Sequence, residues 1–283
     1  MECHIPLLVL APPDRLPAGF DALRAATGTA PVPPDAPAHV LPDPREAAYD
    51  AYFRVRRSSH RPAELLAAAL RETLRAVRAR LPEAADEPVF DEVLAALGLT
   101  GPPEAAPLTA APADGPARWL HGHRLFFALI QATTVGVAEA LHATGPGTAG
   151  REAADRGAAS AAVCLRAGTA ALRIASDFPA TDYEELIRPS MEPPHQPVPG
   201  FSGLWSADHR VLIDQLRTWG RSPRAREGSA AGRALRAALE EAYAAHVGVC
   251  RRFVGTGPSL LGGSPDAPAT LAELGAARRR LLN

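Results

Sequence analysis

His246 and Cys250 stand four residues apart, and 36 residues separate His209 from His246. Imidazole and thiol groups at helical spacing can hold a transition metal, move protons or form covalent bonds to a bound group. The surrounding residues run Leu235, Leu239, Ala242, His246, Val249, Cys250 and Phe253. That three-and-four spacing puts the histidine and the cysteine on the inward face of one helix. The preceding helix repeats the pattern, with His209 in phase with Leu212, Ile213, Leu216 and Trp219. Two inward histidines and an inward cysteine make a candidate ligand cluster. Two other readings stand beside it. Hydrogen-bonded core histidines with a packing cysteine give the same pattern. So does a zinc site with one position open, although Cys-x-x-Cys and His-Glu-x-x-His pairs are absent.

A second group is Phe53-Arg-Val-Arg-Arg-Ser-Ser-His60, a helix break carrying Arg56, Arg57 and His60. A histidine there can face a pocket and move a proton on an oxidant or a phenol. A solvated helix junction is the plainer alternative. The segment Phe178–Met191 offers Tyr183 and Arg188. Its arginine suits bidentate binding of a carboxylate, and equally a surface salt bridge. His121 and His123, two apart on a helix, cannot share a face, so no joint metal role is expected. The glycine-rich run Gly255–Ser264 follows a helix rather than opening one, so it reads as a lid or pocket wall and not as a phosphate cradle.

The elements that must position these residues are helical. Prolines crowd residues 11–45, so residues 1–44 are expected as an extended arm over the domain. Residues 45–283 then form a single helical domain. Its helices are expected from Arg45 through Val55, from Pro62 to near Pro82, and over Val89–Leu97. Two long ones follow over Ala117–Thr144 and Ala149–Ser176, joined by a Gly-Pro-Gly turn. A loop over 100–115 precedes that pair. Phe178–Gly203 holds six prolines around a short Asp182–Ile187 helix and reads as an active-site loop. Helices over Ser206–Trp219, Ser229–Val254 and Thr270–Leu282 complete an all-α bundle with long loops.

Composition narrows the function. The 283 residues are 47% apolar, enough for one large core. A net charge of −1 gives no electrostatic case for nucleic acid or an anionic membrane. Every basic residue other than histidine is arginine. The N-terminus lacks the pattern of a signal peptide, and no run of about 18 residues is both apolar and uncharged. Three widely spaced cysteines argue against a disulfide framework and for a reducing, cytoplasmic setting.

The spacing of His209 and His246-Val-Gly-Val-Cys250 resembles the His-xₙ-His-x-x-x-Cys signature of the 3-methyl-L-tyrosine peroxygenases. These belong to saframycin-type antibiotic pathways, within a group of histidine-ligated haem aromatic oxygenases that includes tryptophan 2,3-dioxygenase. Arg57-Ser-Ser-His60 with Glu64-Leu65 is similar to that group's distal-histidine helix. Ile187-Arg-Pro-Ser-Met191 is similar to a stretch of the haem tyrosine hydroxylases. Together these motifs span about residues 45–260. The resemblance implies a tryptophan-dioxygenase-like helical fold around a covalently held haem iron. It implies His209 as axial ligand, His246 bonded to a vinyl carbon, Cys250 in a thioether and His60 as distal histidine. A Gly/Thr-rich loop after His246 leaves His246 as the alternative axial ligand. The implied reaction hydroxylates tyrosine or 3-methyl-L-tyrosine ortho to the phenol with hydrogen peroxide. Arg188, or one of Arg54, Arg56 and Arg57, would hold the carboxylate, with Tyr183 nearby, and a homodimer is expected by analogy. An indole oxygenase using O₂ and a haem-free zinc-binding or interaction domain are the competing readings.

Overall fold

The computed structural model describes residues 6–26, 36–81, 88–99, 114–143, 147–255, 260 and 266–280. At its centre is an antiparallel pair of long helices, α5 (Gly115–His142) and α6 (Gly147–Ala175). Small residues let their backbones approach closely. A Cβ on Gly122 would lie 2.5 Å from the Ala175 Cβ, and one on Gly136 would lie 2.9 Å from the Ala161 backbone nitrogen. Both helices are long and apolar enough to cross a membrane, with mean hydropathies of 1.4 and 1.2. Here 78% and 72% of those apolar windows are buried inside the protein, as expected of central helices.

Around this pair pack α2 (Pro44–Tyr52), α3 (Pro62–Arg80), α4 (Pro88–Leu97), α7 (Ala207–Arg221), α8 (Ala230–Phe253) and α9 (Ala267–Arg279). Side-chain caps set several starts. Asp43, Asp114, Ser206, Ser229 and Asp266 each accept a hydrogen bond from a backbone N–H in the first turn. The helix ranges expected from periodicity are therefore met to within a few residues.

The arm does more than drape over the domain. Leu8, Leu10, Phe20 and Leu23 are fully buried and join the main core beside Phe53, Leu66 and Leu70. Strand β1 (Leu8–Leu10) pairs in parallel with β2 (Val55–Arg57), and α1 (Asp21–Ala25) follows it. Three-residue strands are too short to show a period-two pattern, which is why the sequence reads as purely helical there. Most of the loop over 100–115, the Gly-Pro-Gly turn except Gly147, and most of Gly255–Ser264 lie outside the described residues.

Candidate active site

One cavity of about 310 Å³ opens between α5, α7, α8, α9 and the segment 183–204. His209, His246 and Cys250 all line it, as do Tyr183 and Arg188. Its walls are otherwise mostly apolar, from Phe53, Trp119, Phe126, Ile130, Leu212, Leu239 and Phe253.

The flanks of His209 are tied down. Asp208 is buried and meets the Arg57 guanidinium at 2.9 and 2.8 Å, and the Gln131 amide donates to it at 2.8 Å. Arg210 donates to Glu46 on α2 at 2.6 Å. The Ser206 hydroxyl accepts from the His209 N–H at 3.2 Å, which places the imidazole in the first turn of α7. A helix N-terminus disfavours added positive charge. Burial, the Arg278 charge and His246 together push His209 down to about 4. Burial does the same to His246. Both imidazoles are therefore neutral at ordinary pH, with a lone pair free to bind a metal.

A third imidazole belongs to the same cavity. His123 on α5 stacks on Phe53 with ring centroids 4.7 Å apart and lies 4.1 Å from the Trp119 ring. Its Nδ1 is 2.7 Å from the Trp119 carbonyl oxygen. A carbonyl only accepts, so Nδ1 carries the hydrogen and Nε2 keeps its lone pair. Burial lowers His123 to about 4, with His246 close enough to add to the effect. His121, two residues before, points away toward Arg80 and Arg124, as their different helix faces require. The stripe Trp119, His123, Phe126 and Ile130 was the sequence signal for His123, and all four residues line the cavity.

Segment 178–204 contributes a wall through a π-helical turn, Tyr183–Ile187, a local widening frequent at functional sites. Tyr183 stacks on Phe253 at 4.7 Å, and burial pushes its hydroxyl up to about 12. The Ser190 hydroxyl sits 2.9 Å from that of Tyr52, which ties the segment to α2. Arg188 is 3.4 Å from Glu192 and partly exposed. Burial pushes the Cys250 thiol up to about 11, so it is protonated.

Three residues expected at the site are elsewhere. His60 is exposed and accepts from its neighbour Arg61 at 3.0 Å, away from the cavity lining. Left-handed backbone at Arg54 and Arg61 brackets this stretch and turns it to the surface. Arg56 donates to the Ala36 carbonyl at 3.2 Å. Arg57 is buried, and its charge is consumed by Asp50 and Asp208. Neither arginine lines the cavity, so neither can hold a ligand within it.

Among the described residues no three His, Cys, Asp or Glu side chains converge as a metal-holding group. The histidines instead surround an apolar space, with Arg188 and Arg278 among its few charged groups. Such a donor set fits a flat macrocycle that brings its own equatorial nitrogens and needs one imidazole from the protein.

Three comparisons relate the chain to known proteins. The profile of the SfmD 3-methyl-L-tyrosine peroxygenase family matches residues 7–240, which include His123 and His209 but end before His246. A 3-methyl-L-tyrosine peroxygenase of Streptomyces lavendulae is 35% identical over 205 residues, covering 65% of this chain. The chain spans 54% of that relative's length. A crystal structure of reduced SfmD, soaked with sodium hydrosulfite, superposes with a TM-score of 0.65 at 27% identity. That match covers 87% of this chain and 98% of the other. With most of its length matched to one family profile and the same helical fold, the chain belongs to the SfmD 3-methyl-L-tyrosine peroxygenase family.

Proposed function

We propose that the protein is a haem-dependent peroxygenase that hydroxylates tyrosine or 3-methyl-L-tyrosine ortho to its phenol with hydrogen peroxide. The observation that carries this reading is the gathering of three neutral imidazoles and a thiol around one apolar cavity, in a chain of this family. His209 would hold the haem iron, because the ties on Asp208 and Arg210 fix the turn that carries it. His246 and Cys250 would bond the vinyl edge, one helical turn apart on α8.

Bound there, haem supplies the activation of peroxide and the oxygen transfer. The net change is balanced: the aromatic C–H and hydrogen peroxide give a phenolic C–OH and water. The chain's own residues bind, orient and move protons. His123 Nε2 is the buried base available to accept a proton from the peroxide or the phenol. Arg188 offers a guanidinium to the amino-acid carboxylate at the mouth near Tyr183. The aromatic walls from Phe53, Trp119 and Phe126 exclude water and accept a phenyl ring edge-on or offset. A reducing cytoplasm and a homodimer remain part of this proposal.

Intact mass of the protein expressed with haem tests cofactor and linkage together. The expected result is a gain of one haem mass under denaturing conditions, which replacement of both His246 and Cys250 by Ala makes extractable by acidic acetone. The second half is a peroxide-driven assay with 3-methyl-L-tyrosine, expected to give a product one oxygen heavier. Protein with no Soret band after expression with hemin would refute the haem assignment.

A further inference from the structure

Helix α9 turns its apolar face to the cavity rather than to a packed core. Ala267, Thr270, Leu271, Leu274 and Arg278 line the cavity, and their spacing of three and four puts them on one side of the helix. Leu271 and Leu274 are the largest apolar side chains of α9, yet no residue of this helix belongs to either hydrophobic core. Both leucines are only half-buried. The buried residues of α9 are Pro268 and Gly275, which lie on its flank, about a quarter turn from the stripe. Through that flank the helix packs chiefly on α8, where a Cβ on Gly275 would lie 3.1 Å from the Tyr243 Cβ.

A helix held along one flank, with its leucines facing open space, has little local stability of its own. Whatever flat apolar body fills the cavity takes that leucine surface out of water and so holds the helix down. The stripe selects the body. From Ala267 to Leu274 it runs about 10 Å along the axis, on the order of a porphyrin's width. A single phenol ring is too short to cover it.

Resting on the haem reading above, we propose that α9 is the closing wall of the cofactor site, docking on the macrocycle through Leu271 and Leu274. Tied chiefly to one neighbour, it is also the wall that gives way to admit the macrocycle. Its docking and cofactor binding then reinforce each other, because a ligand that binds only the docked form stabilises that form.

Hydrogen–deuterium exchange of the full chain, haem-free and after addition of hemin, tests this. Amides of α9 should slow at least tenfold more than those of α4, which does not line the cavity. Titration with iron mesoporphyrin, whose ethyl groups in place of vinyls keep binding reversible, reads the energetics. The double variant Leu271→Ala, Leu274→Ala should bind it at least tenfold more weakly than wild type, with the haem-free melting midpoint unchanged. Bound hemin that leaves α9 no slower than α4, or wild-type affinity in the double variant, would overturn the proposal. So would a lowered haem-free midpoint, which would mean that the leucines only support the fold. Slowing by 3-methyl-L-tyrosine but not by hemin would make the stripe a substrate wall, and protection of haem-free α9 that is lost on dilution would make it a contact with a second copy. Either would refute docking on the macrocycle. Wild type binding neither porphyrin would overturn the haem reading itself, and this one with it.

Discussion

Replacing Arg57 by Met removes the cation at the centre of a buried ion cluster without shortening the side chain much. In the native protein the guanidinium meets Asp50 at 2.7 and 2.8 Å and Asp208 at 2.9 and 2.8 Å, and donates to the Ala11 carbonyl at 3.2 Å. The side chains of Asp50 and Asp208 are only 8% and 1% exposed. After the substitution Asp208 keeps the Gln131 amide, whereas among the described residues Asp50 keeps no hydrogen bond. Breaking a buried pair from one side costs about 3–5 kcal/mol, out of the roughly 5–15 kcal/mol that holds a domain together. At this chain length that lowers the melting midpoint by on the order of 6–20 °C. Urea unfolding followed by far-UV circular dichroism measures the loss. Arg56→Met is the control: it gives up one bond to Ala36 and should cost less than about 1 kcal/mol. The sign of the pH dependence is a second check. Burial already raises the Asp50 carboxyl, and without Arg57 it rises further above the unfolded value, so the folded state binds more protons. The deficit relative to wild type should therefore shrink as pH falls from 7 toward 4. Equal midpoints for the Arg57 and Arg56 variants, or a deficit that grows on acidification, would refute the reasoning.

His121 is 6% exposed, and burial with Arg80 and Arg124 lowers it from 6.5 to about 4. The unfolded state then binds more protons between pH 6.5 and 4, so stability is present above that window and falls within it, by up to about 3 kcal/mol. Urea midpoints for His121→Gln should flatten across that range compared with wild type. His123→Phe should keep the stack on Phe53 and Trp119 but cut peroxide-driven turnover by roughly 10²–10⁴-fold, with the thermal midpoint little changed. Retained turnover would remove His123 from the chemistry. Gly122→Ala forces a methyl against the Ala175 backbone and should cost about 1–3 kcal/mol by calorimetry, whereas Gly248→Ala, with open space around it, should cost nothing.

Local pattern was enough for much of this protein. The helices came from apolar spacing and caps, and helical phase alone turned His209, His246 and Cys250 toward one interior. Tyr183 and Arg188 were legible in the same way, because a long proline-rich segment inside a helical domain had to cover something. At the site, the expected residues that the structure leaves off the cavity lining include Arg56, Arg57 and His60. Their grouping in the sequence suggested a site, yet Arg57 answers to Asp208, 151 residues away. Two left-handed residues then carry His60 outward.

The sequence by itself thus determined which side of each helix faces inward, since that follows from a fixed 3.6-residue period. It could not determine which inward faces meet. His123 and Arg278 belong to the cavity because α5 and α9 happen to pack beside α7 and α8, a matter of long-range contact. The same holds for the arm, whose Leu8 and Leu10 enter the core only because β2 offers them a strand to pair with. Periodicity is a property of neighbours along the chain. A site is a property of neighbours in space, and only the folded structure supplies those.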